Sequence, residues 1–374
     1  MDIFDDIRPL YDNEVKPVLD KLVADEDFIF AASRLIFSDI TLSAPDLISI
    51  MKEKIQGVDS IAKVQDQIAV YFQNVINNST DGFTHDGLQK LDLSQSHLFI
   101  SNHRDISLDS ALVNLALHYQ GAKTARIVAG DNLKSTSAIT DVMRLNKTFF
   151  VRRSVKGVKE LVNALNQLSS YIRHSLTADN ESVWIAQKEG RAKDGNDRTA
   201  PAIIKMLAMG RDKSISFQDH FSALNVVPVC ISYEYDPCDV DKAEEIYQAQ
   251  KGEYRKGVDE DILTLGKGLT QYKGRVHLQI GQVVEGEYAT PAQLAELIDR
   301  QILTSYRFFP SNVVAYELLH GKGSLDDVTH IDIPGVSEEK RQEFMERMAN
   351  VPEHLKDIVL SMYATPISNC LSYY

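Results

Sequence analysis

HLFISNHRDISLDSALVNLALHYQG, residues 97–121, decides how the rest of the chain is read. HLFISN (97–102) is a short apolar run of strand length. LDSALVNLALHYQG (108–121) repeats apolar residues at helical spacing and stops on a glycine. Between them lies a polar turn that holds Asn102, His103, Arg104 and Asp105. A strand handing over to a helix in this way is one β-α unit, and in sheets built from such units ligands meet the carboxyl ends of the strands. The turn is therefore where a side chain becomes available for chemistry.

Downstream the same texture recurs. ARIVAG (125–130), TFFVRR (148–153), SVWIAQ (182–187), NVVPVCISYEY (225–235) and RVHLQIGQVV (275–284) read as strands. KGVKELVNALNQLSSYIRHSL (156–176), AIIKMLAMG (202–210) and residues 291–307 read as helices, while the charged stretch 236–274 is assigned no element. Upstream, Ile3, Ile7, Leu10, Val15, Val18 and Leu19 recur near a helical period, as does VQDQIAVYFQNVI (64–76). Asn77, Asn78 and Gly82 then interrupt the pattern, which predicts a loop near 77–85. The expected organisation is a helical subdomain over 1–92, an α/β domain over 93–310 and a mainly helical C-terminal extension over 311–374.

Composition narrows the class. The 374 residues are 44% hydrophobic and 25% charged, with only 19 Gly and 11 Pro, which is ordinary for a globular chain. With 40 basic against 53 acidic side chains the formal charge is −13, so the surface as a whole disfavours nucleic acid and anionic lipid. An anionic ligand must be met by a local basic patch. Cys230, Cys238 and Cys370 have neither metal-site spacing nor enough partners for a disulfide framework, which predicts a reducing, cytoplasmic setting. The opening residues do not read as a secretory signal, and no apolar run approaches the roughly 20 residues that span a bilayer. A soluble protein, at most peripheral on the inner face of a membrane, is expected.

His103 is the candidate base. An imidazole takes up a proton near neutral pH, and a carboxylate on its other nitrogen fixes the tautomer and stabilises the charged ring. Asp105 and Asp109 both lie close in sequence. Arg152, Arg153, Arg191 and Lys193 all follow predicted strand ends, so they can gather at one mouth with His103 and supply donors for a phosphate. Glu189 reads either as a residue positioning an acceptor or as a brace for the arginines. Gly190 would let the backbone turn or approach a ligand. GKGL (266–269) lacks the spacing and hydroxyl residue of a phosphate-binding loop.

SNHRDISLD, with three further blocks in order, resembles the glycerolipid acyltransferase family of glycerol-3-phosphate and 1-acylglycerol-3-phosphate acyltransferases. FFVRR (149–153) resembles the family's second block, Glu189-Gly190-Arg191 its third and Val227-Pro228-Val229 its fourth. AGDNL (129–133) and the Ile-Ala strand before the third block are similar to the soluble plastid branch. The family typically has four residues between His and Asp, whereas five separate His103 from Asp109. A bulge before the helix would leave Asp109 in the family position, with Asp105 as the alternative. The resemblance implies an acyltransferase-like sheet flanked by helices, mixed and mainly parallel, and an acyl thioester of coenzyme A or acyl carrier protein as donor. It further implies glycerol-3-phosphate or lysophosphatidate as acceptor and no permanently bound cofactor or metal. A phosphate-ester hydrolase and a non-catalytic lipid or acyl-carrier binding protein are the competing readings.

Overall fold

Alternation along the strands sets which face each side chain serves. In the strand Val226–Tyr233, Val227, Val229, Ile231 and Tyr233 enter one buried cluster, while Val226 and Cys230 enter another. Such a strand is apolar on both sides because helices cover both faces of its sheet. The computed structural model describes residues 3–36, 43–134, 136–152, 155–257 and 260–374. Its strands are β1 (Gly82–Asp86), β2 (Leu98–Ser101), β3 (Arg126–Gly130), β4 (Thr148–Val151), β5 (Val183–Ala186), β6 (Val226–Tyr233) and β7 (Arg275–Ile280). They form a seven-stranded sheet in the order β1-β7-β6-β2-β5-β3-β4. Every neighbouring pair is parallel except β6 with β7. The carboxyl ends of β2 to β6 therefore share one edge. The expected α/β architecture, a mixed and mainly parallel sheet flanked by helices, is the one observed.

Two clusters flank the sheet. On one side the helices Val158–Thr177, Pro201–Leu207 and Pro291–Thr304 pack Leu168, Ile172, Ile204, Leu294 and Ile298 against Leu98, Ile100, Val183 and Ile185. On the other side the helices Ile61–Ser79 and Leu108–Tyr119 bring Ile76, Leu112 and Ala116 against Phe99, Trp184 and Val229. At the C-terminus Pro310–His320, Glu338–Ala349 and Lys356–Leu371 enclose a further cluster around Val314, Phe344 and Val359. Among the described residues no helix is long and apolar enough to cross a membrane.

Three local expectations are corrected. Residues 82–86, read within the helical segment and its loop, form an edge strand parallel to β7. Its residues are at best half-buried, so no apolar run marks it in the sequence. Residues 3–10 are not helical, and the first helix starts at Asp12, after Pro9. Phe4 and Ile7 instead plug into the main cluster as anchors from an irregular segment. The charged stretch 236–274 contains two helices, Asp239–Gln250 and Glu260–Thr270. The first buries only Asp239, Lys242 and Ala243, which is too little apolar surface to show a periodic stripe.

Candidate active site

The site begins with a strand that stops early. β2 pairs in register through Ser101 with Ala186 of β5 and with Val229 of β6. Asn102 then carries the pairing on with its side chain. Its amide oxygen accepts from the Ile231 N–H at 2.8 Å, and its Nδ2 donates to the Ile231 carbonyl at 2.9 Å. The fully buried amide satisfies β6 in place of another strand residue, so the backbone is free to turn out of the sheet at His103.

The turn 104–107 folds around two carboxylates with separate tasks. Asp105 Oδ1 accepts from the backbone N–H of Ser107 at 2.9 Å and of Leu108 at 2.8 Å, capping the helix Leu108–Tyr119. Asp109, in the first turn of that helix, points back. Its Oδ2 lies 2.9 Å from His103 Nδ1 and accepts from the N–H groups of Arg104 at 2.6 Å and Asp105 at 2.9 Å. Its Oδ1 accepts from the Tyr233 hydroxyl at 3.0 Å. The additional residue between His103 and Asp109 is thus taken up in the capped turn, and Asp109 is the carboxylate in contact with the imidazole.

Burial grades these groups sharply. Asp109 is fully buried, whereas the His103 side chain remains 15% exposed. With Nδ1 facing Asp109, Nε2 is the ring nitrogen left to meet a ligand. The Trp184 ring stands edge-on to the imidazole, 6.1 Å between centroids. Burial, followed by the charge on Asp109, pushes the Tyr233 hydroxyl well above its ordinary range, which keeps it a donor. Burial and then the same charge also raise the Asp105 carboxyl. Arg104 turns inward, with Nε donating to Asp197 at 3.0 Å. Burial opposes its charge, but the surrounding groups, Asp197 first and then Tyr306 and Asp236, together raise the guanidinium pKa.

The loop after β5 returns to this turn. Gln187 N–H donates to the Ser101 carbonyl at 2.8 Å, and Ala192 N–H donates to the His103 carbonyl at 2.7 Å. Arg191 and Lys193 flank Ala192 and are thereby held beside His103. Gly190 makes the bend at φ +74°, and Glu189 and Gly190 are both exposed. Arg191 approaches Glu245 rather than nearby Asp194, which bonds the Asn196 N–H. Arg152 is not gathered here. It follows β4, three strand spacings or about 14 Å from β2 along the sheet, and pairs with Asp6 at 3.2 Å. Arg153 lies outside the described residues. Among the described residues no group of three or more His, Cys, Asp or Glu is arranged to hold a metal.

Residues given no role in the sequence reading complete the site. Tyr233 and Asn102 brace the dyad, and Lys242 donates to the Arg104 carbonyl at 2.7 Å. The strand alternation of β6 carries the signal for Tyr233, since every second residue from Val227 faces the helix that bears Asp109. Gly268, within the GKGL segment, packs against the turn, and a Cβ there would overlap the Asp105 carboxylate. Gly268→Ala is therefore expected to lower the urea-unfolding midpoint, with a cost of about 1–3 kcal/mol for overpacking a buried contact. An unchanged midpoint would mean that the turn yields freely.

Residues 82–232, from β1 through most of β6, match the family model described as Acyltransferase. A glycerol-3-phosphate acyltransferase of Hamiltonella defensa subsp. Acyrthosiphon pisum is 29% identical over 210 residues, 55% of this chain and 23% of that protein. The chain therefore matches about a quarter of the length of that relative. A solved structure, the 1-acyl-sn-glycerophosphate acyltransferase from Thermotoga maritima, is a distant likeness at 13% identity and a TM-score of 0.38, covering 77% of this chain and 91% of that one. The family match takes in β2, β5, His103, Asp109 and the loop bearing Arg191 and Lys193. Through residues 82–232 the chain is similar to the acyltransferase family, and over 210 residues it is similar to a glycerol-3-phosphate acyltransferase.

Proposed function

We propose that this protein transfers an acyl group from a thioester to the hydroxyl of glycerol-3-phosphate or its 1-acyl derivative. The observation that carries this reading is the buried Asp109 carboxylate 2.9 Å from Nδ1 of a partly exposed His103. Asp109 holds the neutral ring in the tautomer protonated at Nδ1, leaving the Nε2 lone pair free. Nε2 takes the proton of the acceptor hydroxyl as its oxygen attacks the thioester carbonyl carbon. The carbon–sulfur bond then breaks, the imidazolium returns its proton to the departing thiolate, and ester and free thiol leave. Asp109 stabilises the ring while it is charged.

Arg191 and Lys193 are proposed to grip the acceptor phosphate, placing its hydroxyl beside Nε2 and lowering the entropic part of the barrier. The Ala192-to-His103 bond, which ties both cations to the base, supports this assignment. Glu189 and Gly190 are proposed to shape the acceptor side of the same loop. The donor is an acyl thioester, and coenzyme A and acyl carrier protein are its proposed carriers.

The test is thiol release from acyl-coenzyme A and acyl-carrier protein, with and without each acceptor. Release that requires acceptor is expected. Phosphate release without a thioester would point to a hydrolase, and ligand binding without thiol release would point to a carrier. Arg191→Ala is expected to raise the acceptor KM by about 10-fold or more, the scale of one lost charge-assisted contact. An unchanged KM would remove Arg191 from the phosphate site.

A further inference from the structure

Arg191 and Lys193 share one carboxylate. Glu245, on the helix Asp239–Gln250, presents Oε2 to Lys193 Nζ in an ion pair and Oε1 to Arg191 Nη2 at 3.9 Å. The Arg191 and Glu245 side chains are nearly buried, 9% and 11% exposed, while that of Lys193 is 33% exposed. At 3.9 Å the Arg191 contact is an ion pair without a hydrogen bond, so the guanidinium fork is not saturated by Glu245. The Tyr254 ring lies 5.3 Å from Lys193 Nζ to the centroid, and Tyr254 also contacts Glu245.

The carboxylate is carried by a fixed support. Lys242, one turn earlier on the same helix, donates to the Arg104 carbonyl and pairs with buried Asp236. The helix is thereby tied to the turn that bears His103, and the Glu245 side chain extends from it to the two cations. Two carboxylate oxygens, each facing one cation, stand where two oxygens of a phosphate would.

We propose that Glu245 stands in the anion position between Arg191 and Lys193 until the acceptor binds, and that the acceptor phosphate displaces it from both. A phosphate monoester carries close to two negative charges near neutral pH and three acceptor oxygens, so it outcompetes one carboxylate that is hydrogen-bonded to one of the two cations. Glu245 keeps two like charges together before the acceptor binds and discriminates against weaker, singly charged anions. It is a specificity-determining residue whose effect is exerted through Arg191 and Lys193. This role rests on the reading of those two cations as the phosphate site.

Glu245→Gln keeps the size and one acceptor oxygen while removing the competing charge. It is expected to tighten inorganic phosphate binding, read by calorimetry and by the thermal shift that phosphate produces, by about 5–10-fold, and to lower the acceptor KM by a similar factor. A simple brace would behave oppositely, since losing it would loosen the cations. Weaker phosphate binding in Glu245→Gln, or a raised KM, would therefore overturn the proposal. If Arg191→Ala weakens phosphate binding but Glu245→Gln leaves it unchanged, the displacement idea fails and the phosphate site stands. If neither substitution alters phosphate binding, both fail together.

Discussion

Replacing His103 with alanine is expected to reduce acyl transfer by about 10²–10⁴-fold, the usual contribution of a positioned general base. The fold should survive. The imidazole is one of four donors on Asp109, and the Arg104 and Asp105 N–H groups and the Tyr233 hydroxyl remain when it is removed. Because the ring is partly exposed, its loss opens a small solvent-filled space rather than a sealed void. The measurement is acceptor-dependent thiol release beside circular dichroism and the melting temperature. Full activity in a folded His103→Ala protein would eliminate the mechanism. Acceptor binding should be retained, since Arg191 and Lys193 hang on the His103 backbone carbonyl rather than on its ring.

That dependence on backbone explains what the sequence made legible. β2 with its following helix, and the strands at 126–130, 148–151, 183–186 and 226–233, were readable because parallel strands buried on both faces are short, continuous apolar runs. The edge strand Gly82–Asp86 was not, because exposed GFTHD has nothing apolar in period. The helices in 236–274 escaped for a related reason, since each buries one apolar side chain larger than glycine, Ala243 in the first and Leu269 in the second, beside polar positions. Lys242 and Asp239 are buried because they tie the turn beneath His103 to the C-terminal helices, with Asp239 accepting from Tyr363 at 2.8 Å. Periodicity reports apolar burial and is blind to a buried ionic network.

The site residues divide in the same way. His103, Asp109, Arg191 and Lys193 stood out because a reactive type follows a strand end or opens the next helix. Tyr233, Asn102 and Glu245 did not, since a tyrosine, an asparagine and a glutamate are unremarkable until a partner from elsewhere in the chain is beside them. Arg152 shows the converse limit. It follows a strand end as Arg191 does, but strand order places β5 next to β2 and β4 two strands further out. Strand order is a long-range property, and adjacency in sequence does not encode it.

The second large effect separates two carboxylates that sequence spacing alone could not rank. Asp109→Asn is expected to lower the rate by about 10²–10⁴-fold with the fold intact. Asp109 Oδ2 accepts three donors, so the asparagine carbonyl must take that place and its amide must face Tyr233, whose hydroxyl can rotate from donor to acceptor. The geometry persists, and what disappears is the charge that stabilises the imidazolium. Asp105→Asn should do little to the rate, because one oxygen capping Ser107 and Leu108 is all the turn asks of it, and asparagine supplies that oxygen. Its signature is in stability. The folded-state pKa of Asp105 is raised by burial and by Asp109, so protonation favours the folded form. Stability from this group is fullest below its unfolded pKa and is lost as pH rises through the folded value. Asp105→Asn removes that loss, and its urea midpoint should exceed the parent's by a margin that grows with pH. If instead Asp105→Asn abolishes transfer while Asp109→Asn spares it, the orienting carboxylate is Asp105, and the contact between Asp109 and His103 serves only to hold the turn.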